Sequence, residues 1–255
     1  MRDNQVKRTL ADGGAAVGLM VFEFGTAGVA RMARAGGAEF VLYDMEHTGF
    51  SPETLKTLLD SARAAQLTPF ARVRDARRVS VSQILDLGAM GIMVPMVESA
   101  EQAREVVSYA RYAPDGTRGV AVYHADDIEP DGLPATLAKA NREVLVIVQI
   151  ETAAGVERCE EIAAVPGVDV LWLGHFDLSN FLGIPGQFAS AQFQDAVRRI
   201  AAAAKKHGKA AGYMAAGAAL GREYLGHGFR MIATGTDQGL LQAAIAGNIG
   251  AWRSK

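Results

Sequence analysis

Short apolar runs alternate with Ala-rich amphipathic stretches along the whole chain. The runs are continuously apolar and rich in β-branched residues, which is typical of parallel strands that are buried on both faces. The predicted strands cover residues 16–22, 40–43, 69–73, 91–94, 144–150, 170–173, 210–213 and 229–233. The stretches between them predict helices over residues 26–35, 52–65, 79–87, 100–109, 153–163, 190–206, 216–225 and 237–251.

This alternation predicts the fold class. Eight strands, each followed by a helix, in 255 residues indicate one closed (β/α)8 barrel, a TIM barrel, formed by residues 1–255 as a single domain. A doubly wound open sheet is the alternative, but no Gly-x-Gly-x-x-Gly turn follows the first strand. The longest irregular stretch covers residues 113–133, and a loop of that length in a compact domain is usually functional.

Composition and charge exclude several classes of protein. With 49% hydrophobic and 21% charged residues, the chain has a soluble globular composition. A net charge of -2 does not favour a nucleic-acid partner. The polar first residues do not resemble a signal peptide, and no apolar run approaches the roughly 20 residues of a membrane span. Because the single cysteine, Cys159, cannot form an internal disulfide, we expect a cytoplasmic protein without a membrane partner.

Polar residues cluster where the predicted strands end. The second strand runs into Asp44-Met45-Glu46-His47, the fifth ends in Gln149-Ile150-Glu151, and Gly174-His175-Phe176-Asp177 follows the sixth. The active site of a (β/α)8 barrel lies at the carboxyl ends of its strands. We therefore expect these side chains to converge on one end of the barrel.

Glu151 and Asp177 follow neighbouring strands, so their carboxylates can meet near the barrel axis. Two carboxylates with open positions suit a divalent cation, and Mg²⁺, Mn²⁺ and Co²⁺ are equally compatible with them. The alternative is that each acid only caps the helix that follows it. Since the chain has no phosphate-binding loop, zinc motif or nucleophile elbow, we expect no organic cofactor.

Asp44, His47 and Arg72 are candidates for acid–base and electrostatic catalysis. A carboxylate near an imidazole raises its basicity and makes it a general base, although His47 could also be a polar loop residue. Arg72 lies inside an apolar strand, where a guanidinium is unfavourable unless it faces an anion such as a carboxylate or a developing enolate. No lysine falls at the carboxyl end of a predicted strand, which disfavours Schiff-base chemistry.

In this order and spacing, the motifs resemble those of the HpcH/HpaI-type aldolases, metal-dependent (class II) pyruvate aldolases of the citrate-lyase-like superfamily. The similar stretches are residues 44–47, 69–75, 94–97, 111–119, 148–152, 174–179 and 235–237. The resemblance extends over residues 18–249. It implies a barrel of the phosphoenolpyruvate/pyruvate type, with the last helix swapped between subunits, and a homohexamer of paired subunits.

The resemblance also implies how the substrate is held. Glu151 and Asp177 match the residues that bind the metal, and Gln149 matches the one that supports the keto group of pyruvate. The backbone amides of Phe176 and Asp177, which follow Gly174, match those that bind the carboxylate of pyruvate.

A second set of residues matches the groups that handle charge and protons. Arg72 matches the arginine that stabilises the enolate. His47 with Asp44 matches the dyad that moves the proton. Asp86 matches an acid that reaches this dyad from the neighbouring subunit.

Two stretches depart from the family pattern. Gly174-His175-Phe176-Asp177 stands where many members have Gly-Pro-Ala-Asp, and the loop of residues 120–127 lacks the Arg-Ala-Ser pattern of well-known homologues. Both departures concern the aldehyde partner. Our hypothesis is that His175 and His124 shape the pocket for that aldehyde.

The expected activity is reversible aldol addition or cleavage. The enolate of pyruvate or hydroxypyruvate would join an aldehyde to give a 4-hydroxy-2-oxo acid, in aromatic or sugar-acid catabolism. An acyl-CoA ester lyase acting on malyl- or citramalyl-CoA is the alternative, but the long loop has no cluster of basic residues for CoA phosphates. A non-catalytic binding protein would need a broken site, whereas all the expected acids, the arginine and the histidine are present.

Overall fold

A computed structural model of the chain describes residues 2–121 and 129–253. Its strands are β1 (Ala16–Val21), β2 (Phe40–Asp44), β3 (Thr68–Arg72), β4 (Gly91–Val94), β5 (Leu145–Ile150), β6 (Val170–Leu173), β7 (Ala210–Met214) and β8 (Phe229–Thr236). Its helices are α1 (Gln5–Ala11), α2 (Gly28–Ala35), α3 (Pro52–Ala64), α4 (Arg78–Asp86), α5 (Ala100–Ala110), α6 (Leu133–Glu143), α7 (Ala153–Glu157), α8 (Cys159–Ala163), α9 (His175–Phe181), α10 (Ala191–Lys206), α11 (Ala218–Gly226) and α12 (Asp237–Arg253).

The eight strands form a closed parallel barrel in chain order. Each strand pairs with the next one along the chain, and β8 returns to β1 with Met231 beside Ala16. The predicted (β/α)8 barrel is confirmed, and the doubly wound alternative is wrong. Over the part of the chain that the structure describes, no helix has the length and apolarity needed to span a bilayer.

Five helices depart from the pattern predicted from the sequence. α1, α6 and α9 were not expected, and α7 and α8 divide the single helix predicted over residues 153–163 at Arg158. α1 is capped by Asn4, whose side-chain amide donates to the carbonyls of Met90 and Glu143, just before β4 and β5. α9 has only seven residues, too few to display a helical period in the sequence.

Close packing inside the barrel brings large side chains against glycines. A Cβ atom on Gly212 of β7 would lie 2.3 Å from the Trp172 ring of β6, so glycine makes room for that indole. The Tyr43 ring and the Phe40 and Phe70 rings are fully buried. The free thiol of Cys159 is also buried. The apolar strands thus form a rigid base for the polar groups at their carboxyl ends.

Candidate active site

The carboxyl ends of the strands open into a cavity of about 660 Å³. Seven residues that the sequence assigned to the site line this cavity: His47, Arg72, Gln149, Gly174, His175, Phe176 and Asp177. Strand pairing explains the convergence, since Asp44 lies beside Arg72 on β2 and β3, and Gln149 lies beside Trp172 on β5 and β6.

Arg72 is a buried cation held by two carboxylates and an amide. Its Nε atom lies 2.6 Å from Oδ1 of Asp44 and 3.2 Å from Oε2 of Glu46, and Nη1 donates to Oε1 of Gln149 at 3.4 Å. The guanidinium also lies over the Phe22 ring, 5.5 Å from its centroid. These contacts balance the positive charge of the guanidinium and fix the orientation of the group, as electrostatic preorganisation requires.

Asp44 holds the main chain of the loop that carries His47. The fully buried carboxylate accepts from the backbone N–H groups of Glu46 at 3.2 Å and of His47 at 2.9 Å. The carboxylate that faces the imidazole is Glu46, with Oε2 at 3.6 Å from Nε2 of His47. Sequence reasoning placed Glu46 at this end of the barrel with its neighbours but assigned it no role, and the structure makes it the acid that faces His47.

The surroundings of Glu46 oppose its ionisation. Burial raises the pKa of the Glu46 carboxyl, while the charges of Arg72 and His47 act in the opposite direction. The protonated form of Glu46 is therefore favoured more than it is in an exposed glutamate.

Glu151 is almost completely buried, at 2% exposure, and both of its oxygens have partners. Oε1 accepts from the backbone N–H of Met96 at 2.8 Å, and Oε2 accepts from the side-chain amide of Gln149. Burial raises the pKa of Glu151 to about 7; the Met96 N–H opposes this shift and the negative charge of Asp177 reinforces it.

Gly174 is required at the turn after β6. A Cβ atom there would lie 2.3 Å from Oε2 of Glu151 and 2.7 Å from Nε2 of Gln149. Contacts under 3 Å would displace both side chains. The glycine therefore allows the turn after β6 to lie close to the end of β5.

The carboxylates of Glu151 and Asp177 are ligands that suit a divalent cation. Asp177 lies in the first turn of α9, after the strand next to that of Glu151, and its negative charge raises the pKa of Glu151. Within residues 2–121 and 129–253, no group of three or more His, Cys, Asp or Glu side chains is arranged to hold a metal ion. Glu151 and Asp177 are two carboxylates, and a divalent cation held by two carboxylates takes its remaining ligands from water or substrate oxygens.

His175 and Phe176 occupy different environments. The His175 ring is buried and packs 4.3 Å from the Phe176 ring, 5.3 Å from Phe188 and 5.1 Å from Tyr213, measured between ring centroids. Burial lowers the pKa of His175 to about 4, which makes it neutral at pH 7. Phe176 lines the cavity and is 63% exposed. His124, the other residue of our hypothesis on the aldehyde pocket, lies outside the described residues.

Asp86 lies at the end of α4, away from the cavity of its own chain. Its carboxylate forms an ion pair with Arg118, with Oδ1 at 2.7 Å from Nη2. The expected contact with the His47 loop of a neighbouring subunit stays a prediction.

Asp237 is a buried residue that sequence reasoning did not assign. Its carboxylate accepts from the backbone N–H groups of Phe22 at 2.9 Å, Glu23 at 3.1 Å and Phe24 at 2.7 Å. It thereby ties the first turn of α12 to the loop after β1. That loop carries the Phe22 ring that packs on Arg72.

A closed parallel barrel with a histidine, an arginine, an amide and an acid around one cavity at its carboxyl end is typical of a TIM-barrel enzyme. Within this class, the family model described as HpcH/HpaI aldolase/citrate lyase matches residues 20–244. The chain belongs to that family. The resemblance inferred from the motifs is confirmed.

Individual relatives agree with this assignment. The chain is 38% identical to a hydroxypyruvate/pyruvate aldolase of Delftia acidovorans over 234 residues, which cover 91% of this chain and 86% of the relative. It is 37% identical to a 4-hydroxy-2-oxovalerate aldolase of Novosphingobium aromaticivorans, over 89% of this chain and 86% of the relative. The crystal structure of an HpcH/HpaI aldolase from Desulfitobacterium hafniense superposes with a TM-score of 0.92 at 30% identity, covering 98% and 97% of the two chains. The predicted enzyme class, a carbon–carbon lyase, is confirmed.

Proposed function

We propose that this chain is a divalent-metal-dependent aldolase that joins the enolate of pyruvate or hydroxypyruvate to an aldehyde, reversibly, giving a 4-hydroxy-2-oxo acid. The observation that carries this proposal is the continuous array Asp44–Arg72–Gln149–Glu151, which places a fixed cation beside a buried carboxylate. The names of the relatives support a pyruvate donor. The same names give less support to the alternative function, an acyl-CoA ester lyase.

Glu151 and Asp177 would hold the cation, with Mg²⁺, Mn²⁺ and Co²⁺ as candidates. When bound, a divalent cation polarises the keto group of a 2-oxo acid and acidifies the protons on the adjacent carbon. The remaining chemistry falls to the side chains and backbone of this chain.

Arg72 and Gln149 would orient the donor and stabilise its negative charge. Gln149 accepts from Arg72 through Oε1 and donates to Glu151 through Nε2, so its amide cannot flip without breaking both bonds. Arg72 presents a fixed positive charge to an enolate oxygen, and such preorganised donors contribute about 10²–10³ in rate. At the start of α9, Gly174 has no side chain to cap the helix, which leaves the backbone N–H groups of Phe176 and Asp177 for the carboxylate of the donor.

His47 would take and return the methyl proton. Its ring faces the Glu46 carboxylate and its main chain is held by Asp44. We retain Asp86 of a neighbouring subunit as a further contributor to this proton transfer.

The proposal includes a single-domain subunit of residues 1–255, a cytoplasmic homohexamer with a swapped last helix, and a role in aromatic or sugar-acid catabolism.

The test follows the methyl protons of pyruvate by ¹H NMR in D2O. With wild-type protein and Mg²⁺, we expect the methyl signal to disappear as deuterium replaces hydrogen, before any aldehyde is added. Excess EDTA should stop the exchange, and Glu151→Gln should reduce it at equal Mg²⁺ concentration.

Two results would contradict parts of the proposal. Exchange that continues in excess EDTA would refute the metal requirement. If no exchange occurs with Mg²⁺, Mn²⁺ or Co²⁺, pyruvate is not the donor, and the same assay on the C3 protons of hydroxypyruvate would decide whether the enolate mechanism holds.

A further inference from the structure

Outside the donor-binding groups, the cavity has a mainly apolar lining. The polar side chains of Thr234, Thr236 and Gln238 share this wall with rings and aliphatic chains from four parts of the barrel. These include Phe22 after β1, Trp172 on β6, Phe176 on α9 and Met214 on β7. An apolar wall binds an apolar substituent by removing both surfaces from water.

The described lining residues leave no free cation for a second carboxylate. Arg72 is the one arginine or lysine among them, and its guanidinium is already held by Asp44, Glu46 and Gln149. His47 faces the Glu46 carboxylate. An acceptor that carries its own carboxylate would therefore lose hydration without gaining an ion pair.

Phe176 is the most exposed aromatic ring of this wall, and other aromatic rings pack against it. Its ring packs on His175 at 4.3 Å and on Phe188 at 5.7 Å. Phe188 in turn packs at 5.3 Å on Phe193, which is fully buried. An exposed ring that is fixed in this way presents a ready surface for a ligand, because little side-chain entropy is lost on binding.

We propose that the acceptor is an uncharged aldehyde with an aromatic or alkyl substituent, and that Phe176 is the residue that selects it. In the addition, a C–H bond of the donor methyl group breaks and that carbon bonds to the aldehyde carbon. The aldehyde oxygen takes a proton and becomes the new hydroxyl, so no oxidant or reductant is needed. This inference rests on the proposed aldolase function.

The experiment measures kcat/KM for pyruvate addition by the Mg²⁺-loaded wild-type protein with four aldehydes. Benzaldehyde and hexanal test the apolar wall, glycolaldehyde is a small polar acceptor, and succinic semialdehyde carries a carboxylate. We expect benzaldehyde or hexanal to exceed both other acceptors by about tenfold or more, as one good apolar contact provides.

Variants test the role of Phe176. Phe176→Ala should lower kcat/KM for the apolar aldehydes by about 10- to 100-fold, which corresponds to the loss of a large apolar contact, and should change that for glycolaldehyde much less. Phe176→Leu, which keeps an apolar side chain, should retain the preference for hexanal. Phe181→Ala is the matched control, because Phe181 is an exposed ring of the same helix that does not line the cavity.

Each failure has a different signature. Wild-type protein that exchanges pyruvate protons but prefers succinic semialdehyde or glycolaldehyde overturns this inference and leaves the aldolase intact. An apolar preference that Phe176→Ala and Phe176→Leu leave unchanged overturns the role of Phe176. Absence of proton exchange, with no addition to any aldehyde, overturns the proposed function itself.

Discussion

Arg72 shows how a parallel barrel supports a charge in its interior. In the register of β2 and β3, Asp44 lies directly beside Arg72, so the fold supplies a carboxylate at the same height. The 2.6 Å contact between Arg72 Nε and Asp44 Oδ1 offsets the loss of hydration of both groups. Neither residue has this partner until the two strands are paired.

Gly174 gives the sharpest prediction at the scale of a residue. The methyl group of Gly174→Ala would collide with Glu151 and Gln149, so we expect Mg²⁺ or Mn²⁺ to bind about 10- to 100-fold more weakly, as when the support of a metal ligand is lost. Isothermal titration calorimetry measures this directly. Gly226→Ala is the control, since a Cβ there meets nothing within 4 Å. Unchanged affinity in Gly174→Ala would refute the assignment of Glu151 as a ligand.

Carboxylates at the start of helices hold the loops that follow the strands. Asp75 follows β3 and accepts from the backbone N–H of Arg77 at 3.0 Å and from the Ser80 hydroxyl at 2.6 Å. Asp237 does the same for the loop after β1. In both cases a carboxylate at or just before the start of a helix accepts hydrogen bonds from loop backbone N–H groups, Arg77 for Asp75 and residues 22–24 for Asp237.

The stability contribution of Asp75 depends on pH. Hydrogen bonding from Arg77 lowers the pKa of Asp75 to about 2, from an ordinary value of 3.8. The contribution is complete above pH 4 and is lost as the pH falls toward 2, because the unfolded chain then binds the proton first. Since the carboxylate is partly exposed, we expect Asp75→Asn to cost about 1 kcal/mol at pH 6 and about half of that at pH 3. Urea unfolding at both values measures the difference, and a difference independent of pH would contradict the expectation.

Asp237 links stability to the site. Asp237→Asn removes the charge that three backbone N–H groups share, and we expect it to lower the free energy of unfolding by about 2–3 kcal/mol. The loop that carries Phe22 should loosen, so pyruvate proton exchange should also slow. Asp195→Asn, at an exposed ion pair of α10, should change neither quantity. Wild-type stability in Asp237→Asn would show that the loop does not depend on this carboxylate.

At the scale of the whole molecule, α12 stands apart from the other helices of the barrel. Asp237 is the one residue of α12 that the structure buries. Its large apolar side chains are 43% to 91% exposed: Leu240, Leu241, Ile245, Ile249 and Trp252. Leu240 and Leu241 also border an apolar cavity of about 390 Å³ formed with α2. An exposed apolar surface of this kind is typical of interaction sites, and it supports the subunit interface that we propose.

The assembly can be measured by light scattering during gel filtration. We expect the wild-type protein to have six times the 27.0 kDa mass of the chain. Ile245→Lys should dissociate it, because a charge in an apolar interface loses its hydration. Asn248→Lys, a charge added at a polar position of the same helix, is the control for the substitution itself. A wild-type monomer would refute the hexamer.

The sequence by itself identified the strands and the end of the barrel that carries the chemistry. The continuous apolar runs are strands in the structure. Both faces of a parallel strand are buried, so each of its residues tends to be apolar, and the sequence displays this directly. α9 was not predicted because a helix of seven residues is too short to show a helical period in its hydrophobic positions. Its first residues nevertheless entered the predicted site, since Gly174 to Asp177 directly follow β6.

The tertiary structure decided which of these residues touch. Asp44 and His47 are close in sequence, yet Asp44 bonds to the His47 main chain and to Arg72, while Glu46 faces the imidazole. Phe176 became the exposed ring and His175 the buried one only through packing with Phe188 and Tyr213. Periodicity and residue type are local properties that a sequence displays directly. Strand register and ring packing depend on residues far apart in the chain, and barrel closure determines them.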